Sequence, residues 1–114
     1  MTQHRFTHIG NMSKEEVDTK KVLAFTEMID RPVRARQIRR KLRMPSRQVS
    51  AFFKHLDEVK RKKHGKTYQY TVDIPEIPSR IEFGDEWIKI EEVEIDGKMY
   101  KKITSSQGEE KLIF

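Results

Sequence analysis

Cysteine is absent from the 114 residues, so the chain has no disulfide to staple it, no thiolate for zinc and no thiol nucleophile. Long apolar runs are absent too. Nothing approaches the ~18 consecutive apolar residues of a membrane-spanning helix, and the opening MTQHRFTHIGNM offers no apolar stretch for a signal peptide. Hydrophobic residues make up 35% of the chain against 37% charged, which leaves room for one small core. A doubly wound sheet or a (β/α)-barrel needs a longer chain and is excluded. These absences point to a cytoplasmic protein of one domain, or one domain with an appendage.

Acidic residues are scarce in one particular stretch. Residues 31–66 hold 14 basic side chains and two acidic ones, residues 1–30 hold four and five, and residues 67–114 hold six and eleven. More than half of the 24 lysines and arginines thus sit in under a third of the chain. Such a patch repels itself unless a polyanion or an acidic surface neutralises it.

Apolar spacing divides the chain further. Residues 1–12 read as a polar tail. Ser13 followed by Glu16 has capping-box spacing, which opens a helix running to about Asp30 with Val17, Ala24, Phe25, Met28 and Ile29 on one face. Leu23 points nearly opposite and implies a second contact. Arg31-Pro32 stops this helix. Ala35, Ile38 and Leu42 form the stripe of a short second helix over Arg34–Leu42, broken at Arg43-Met44-Pro45. With Ser46 as its N-cap, a third helix reaches about Val59 and buries Val49, Phe52, Phe53, Leu56 and Val59. Lys60–Lys66 and Thr67–Val72 flank His64-Gly65 as a β-hairpin with a cationic tip. Residues 73–79 form a proline-punctuated connector.

The remaining residues, 80–114, read as an acidic antiparallel meander. Trp87–Ile90 and Glu92–Ile95 alternate in polarity with a phase slip near Glu91–Glu92 that predicts a bulge. A turn at Asp96-Gly97 sets Val93 against Tyr100, Ile90 against Ile103, Glu92 against Lys101 and Glu91 against Lys102. A last strand ends in Leu112-Ile-Phe114. Thirty-five such residues cannot fold alone and must lean on the helices or on another subunit.

The run Arg31-Pro-Val-Arg-Ala-Arg-Gln-Ile-Arg-Arg-Lys-Leu42, then Met44-Pro-Ser-Arg-Gln-Val-Ser50, Ala51-Phe-Phe-Lys-His-Leu56 and the basic hairpin resembles a winged helix-turn-helix DNA-binding domain over residues 13–72. The resemblance implies an α+β fold: a three-helix winged helix-turn-helix with a C-terminal β-hairpin/meander appendage. It implies a third helix in the major groove and a basic wing on a neighbouring backbone or minor groove.

The residues themselves agree with that chemistry. Arg47, Gln48, Ser50, Ala51 and Lys54 lie off the apolar face of the third helix and are the expected base contacts. Arginine or lysine bonds guanine O6/N7, glutamine bonds adenine N6/N7 and alanine meets a thymine methyl. Arg34, Arg36, Arg39, Arg40, Lys41 and Arg43 on the second helix, with Lys60, Arg61, Lys62, Lys63, His64 and Lys66 on the hairpin, are the expected phosphate contacts.

No enzymatic reading competes. Gly65-Lys66-Thr67 ends like a phosphate-binding loop, but Lys60 stands where that loop needs glycine. His4, His8, His55 and His64 lack ligand spacing on one ordered element, so no metal or cofactor is expected. The expectation is therefore a non-enzymatic, sequence-specific double-stranded DNA-binding regulator, nucleoid-associated and acting as a homodimer on symmetric half-sites, its C-terminal module serving dimerisation or partner contact. The alternatives are a module docking on an acidic surface of the transcription or replication machinery, and an RNA-binding winged helix.

Overall fold

A computed structural model describes residues 12–73 and 79–113. The expected tail up to residue 11, connector residues 74–78 and Phe114 lie outside the described residues. Among the described residues three helices and six strands follow in the order α1 (Lys14–Met28), α2 (Ala35–Leu42), α3 (Ser46–Lys54), β1 (Lys60–His64), β2 (Thr67–Thr71), β3 (Ser79–Phe83), β4 (Glu86–Ile95), β5 (Lys98–Ser105) and β6 (Glu110–Ile113). Strands β1 and β2 pair as a two-stranded sheet, and β3-β4-β5-β6 form an antiparallel meander. Among the described residues no helix is long and apolar enough to cross a membrane.

The α+β class holds, but the expected winged helix-turn-helix with an appended meander does not. The strand-rich arrangement, six strands in two antiparallel sheets, is not plainly a winged helix. The physical reason lies in α1. Val22, Ala24, Phe25, Met28 and Ile29 are all buried, and Lys20 and Glu27 on another flank reach the Leu42 carbonyl and Lys41 of α2, so elements pack on two sides of the helix. Phe25 meets Phe83 edge to face at 4.9 Å, and Ile88, Ile90 and Ile103 join the same buried cluster as Val22, Leu42 and Phe52. The meander is part of the core, each buried aliphatic or aromatic side chain contributing roughly 1.5–3 kcal/mol.

Local chemistry sets the element ends. The hydroxyl of Ser13 accepts from Glu16 N–H at 3.1 Å while Glu16 accepts from Ser13 N–H at 3.5 Å, completing the capping box. Helix α2 closes through Arg43, which is left-handed at φ 55°. Arg43 N–H donates to Arg40 O and Met44 N–H to Arg39 O, a Schellman closure with Met44 buried beneath it.

Helix α3 departs from expectation at both ends. Its N-cap is Pro45, whose carbonyl accepts from Val49 N–H at 3.0 Å, and Ser46 is the first helical residue. It stops at Lys54 instead of Val59. Asp57 and Glu58 would place negative charge at a helix C-terminus, and tighter i→i+3 bonds at His55, Leu56 and Val59 turn Leu56 into the core.

The β1–β2 hairpin is held by Val33, which exchanges two backbone bonds with Tyr70 at 2.9 and 2.7 Å. Tyr70 in turn packs on Phe53 with ring centroids 4.8 Å apart. In the meander the register pairs Val93 with Tyr100, Ile90 with Ile103, Glu92 with Lys101 and Glu91 with Lys102, as the Asp96-Gly97 turn requires. The bulge expected near Glu91–Glu92 does not form, because β4 and β5 keep one register from Ile88 to Ile95. The alternation changes there for another reason: β4 runs past the edge of the core, so Glu92 and Glu94 occupy the inner face where it meets water. Strand β3 was not foreseen.

Candidate nucleic-acid interface

Helix α3 spans about 13–14 Å at 1.5 Å per residue and has two distinct sides. Val49, Phe52 and Phe53 are buried. The outer side carries Arg47 and Lys54, both exposed, with Ser50 and Ala51 half-buried between them. Gln48 is half-buried as well, and the 100° helical step puts it on the opposite flank from Ser50. Four of the five expected base contacts therefore share one strip, and Gln48 borders it.

Ser50 faces a groove of about 310 Å³ between the start of α2 and the hairpin tip, which Arg34, Arg36, Lys66, Thr67 and Tyr68 also line. Three cations from two parts of the chain thus line a groove beside the outer strip of α3. Arg34 N–H is bonded by Gln37 Oε1 at 2.7 Å, which satisfies the exposed end of α2 where a shorter polar side chain would be usual. Thr67 and Tyr68 were not foreseen as lining residues. Their signal was positional, since the hairpin register sets Thr67 against His64 and Tyr68 against Lys63 at the cationic tip.

The hairpin carries its charge on both faces. All five residues of β1 are exposed, with Arg61 and Lys63 on the side of Tyr70 and Lys60, Lys62 and His64 on the other. The Arg61 guanidinium stacks over Tyr68 at 4.4 Å. Lys60 pairs with Asp73 at 2.6 Å on the exposed surface, a pair that water and salt readily dissolve. The His64 carbonyl accepts from the Thr67 hydroxyl at 3.2 Å, fixing the turn.

On α2, Arg36, Arg39, Arg40 and Arg43 are exposed and lie on the outer arc of the helix. Lys41 does not join them. It points back toward α1 and the β5–β6 turn, pairing with Glu27 at 2.9 Å and with Glu109. Burial alone would make Lys41 give up its proton more readily, but the hydrogen bonds and charges of Glu109 and Glu27 outweigh it, so its pKa lies above the ordinary lysine value. The lysine reads as a cation of the patch in sequence and serves the core in space.

Among the described residues, no carboxylate lies within ion-pair distance of Arg34, Arg36, Arg39, Arg40, Arg43, Arg47, Lys54, Arg61, Lys62, Lys63 or Lys66. No group of His, Asp or Glu among the described residues is arranged to hold a metal ion. In comparison with known proteins, no family model, no curated protein and no solved structure matches the chain.

Proposed function

We propose that the chain binds double-stranded DNA, with the outer strip of α3 in the major groove and the cations of α2 and the basic hairpin on the flanking phosphates. The observation that carries this reading is the set of cations without internal carboxylate partners on three neighbouring elements. Surface cations on a solvated helix are ordinarily interspersed with acidic residues, and α2 and α3 contain none. An α-helix with its side chains is about 10–12 Å across, a diameter that the B-DNA major groove, about 12 Å wide, admits.

Roles divide by position. Arg47, Ser50, Ala51 and Lys54 face the base edges and read sequence. Arg34, Arg36 and Lys66 surround the adjoining groove and grip the backbone, and Lys62 and Lys63 extend that grip along the hairpin. On this reading the chain is a small regulator found wherever its duplex is, in association with the nucleoid.

Selection from random duplex DNA supplies the test sequence. With it, Arg47→Ala is expected to cost about 1–3 kcal/mol and to relax preference mainly at one base position, whereas Lys62→Ala weakens all sequences alike. Binding measured on the selected duplex and on single-base variants separates the two. Equal, sequence-blind losses from both substitutions would overturn the role given to α3.

A further inference from the structure

Tyr68 is an aromatic side chain that the core does not use. It lies on the hairpin face that Arg61, Lys63 and Tyr70 share, two residues nearer the tip than Tyr70. That step takes it past the core: Tyr70 is 3% exposed and packs on Phe53, whereas Tyr68 is 36% exposed. The Arg61 guanidinium covers one face of the ring at 4.4 Å. Arg61 itself lines a separate hollow beside Phe53 and Lys54, while Tyr68 belongs to the wall of the groove that Arg34, Arg36, Ser50 and Lys66 line. An aromatic ring backed by one cation therefore shares a site with three others.

Those three are short of acidic partners in sequence as well as in space. No carboxylate among the described residues lies within ion-pair distance of Arg34, Arg36 or Lys66, and residues 1–11 and 74–78 contain a single acidic side chain, Glu76. Phosphate supplies the missing charge. It does not fill the groove, whose volume of about 310 Å³ falls in the range of sites for small organic ligands. The bases of an intact duplex are stacked out of reach of such a ring, whereas an unpaired base offers its face without the cost of unstacking.

We propose that the groove takes an unpaired nucleotide next to the bound duplex, its phosphate held by Arg34, Arg36 and Lys66 and its base stacked on Tyr68, so that the chain prefers a duplex carrying a single-stranded extension. A strand suits the site better than a free nucleotide does. Arg39, Lys62 and Lys63 beyond the groove also lack carboxylate partners among the described residues, and a strand brings further phosphates to them. The proposal deepens the duplex-binding reading and rests on its assignment of these cations to phosphate.

The test titrates the full chain with a blunt duplex and with the same duplex extended by a few unpaired nucleotides at its 5′ or its 3′ end, then adds adenosine monophosphate as competitor. The better of the two extended duplexes is expected to bind about tenfold more tightly than the blunt one. Tyr68→Ala is expected to cut that ratio below about twofold, and Tyr68→Phe, which keeps the ring, to preserve it. Taking the ratio within each variant cancels any effect on blunt duplex. Should the alanine variant unfold, Tyr68→Leu, with apolar bulk and no ring, gives the same reading. Equal affinity for blunt and extended duplexes, or an advantage that Tyr68→Ala retains, overturns the groove as a base site and leaves the duplex-binding reading intact. Binding of the extended duplex alone, lost in Tyr68→Ala, supports the groove and overturns the reading of α3 in the major groove. Binding of neither overturns both. Loss of the advantage to micromolar adenosine monophosphate overturns the strand as occupant in favour of a free nucleotide.

Discussion

Arg43 carries two demands that pull against each other. It adopts a left-handed backbone at φ 55°, a conformation that disfavours a side chain by about 1–2 kcal/mol and that glycine adopts freely at helix ends. Yet it is also an exposed cation at the end of a helix whose other arginines lack internal partners. Arg43→Gly is therefore expected to raise folding stability by about 0.5–1 kcal/mol, after the larger chain entropy of glycine is offset. The same substitution is expected to weaken duplex binding and to reduce its salt slope by about one. Denaturant unfolding and binding isotherms on the one variant check both signs. A gain in both would remove Arg43 from the interface.

At the scale of elements, Lys41 shows where sequence reading stops. Its neighbours Arg39, Arg40 and Arg43 are legible as an exposed cationic arc because the 3.6-residue period with Ile38 and Leu42 inside leaves them outside. Lys41 lies on the flank of that arc, and whether a flank meets water or another element depends on a chain turn 68 residues away, at Glu109. Periodicity contains no such information.

The same limit applies to β3, whose Ser79–Phe83 strand follows prolines and becomes visible only through its partner β4, and to the short end of α3. Local codes fared better. The Ser13–Glu16 box, the hairpin over Lys60–Thr71 and the register set by Asp96-Gly97 were all readable, because each depends on residues close in sequence.

The Lys41 cluster gives a pH-dependent expectation. Its folded-state pKa is raised, so its stabilisation is complete below the ordinary lysine pKa and fades as pH rises through the raised value. Lys41→Met leaves Glu27 and Glu109 without their cation, and Glu109 Oε1 already has no hydrogen-bond partner among the described residues. A loss of about 1–2 kcal/mol near neutrality is expected, shrinking as pH enters the alkaline range, with the duplex salt slope unchanged. Urea midpoints of both chains across that range test it. A constant gap, or a shallower salt slope, would mean that Lys41 acts outside the core.

Taken as a whole molecule, the fold separates charge by layering. The cation-rich stretch 31–66 forms one side, the sheet with its internally paired charges forms the other, and α1 lies between. The cationic side was legible from composition because 14 basic side chains in 36 positions outnumber two acidic ones. The role of the sheet was not. Its strands resemble an appendage in sequence, and only the burial of Phe83, Ile88, Ile90 and Ile103 in one cluster with α1 reveals that they complete the core. The winged-helix expectation is therefore corrected at the level of the fold, where three helices and six strands in two antiparallel sheets share one core among the described residues.

The most direct measurement of the central claim is the salt dependence of duplex binding by the full chain. Cations that lie along a duplex release condensed counterions when they bind, and engagement of about 5–8 phosphates gives a log–log slope of roughly −5 to −7 for affinity against salt concentration. A slope in that range is the expected result. An affinity that stays flat between low and moderate salt would contradict the account.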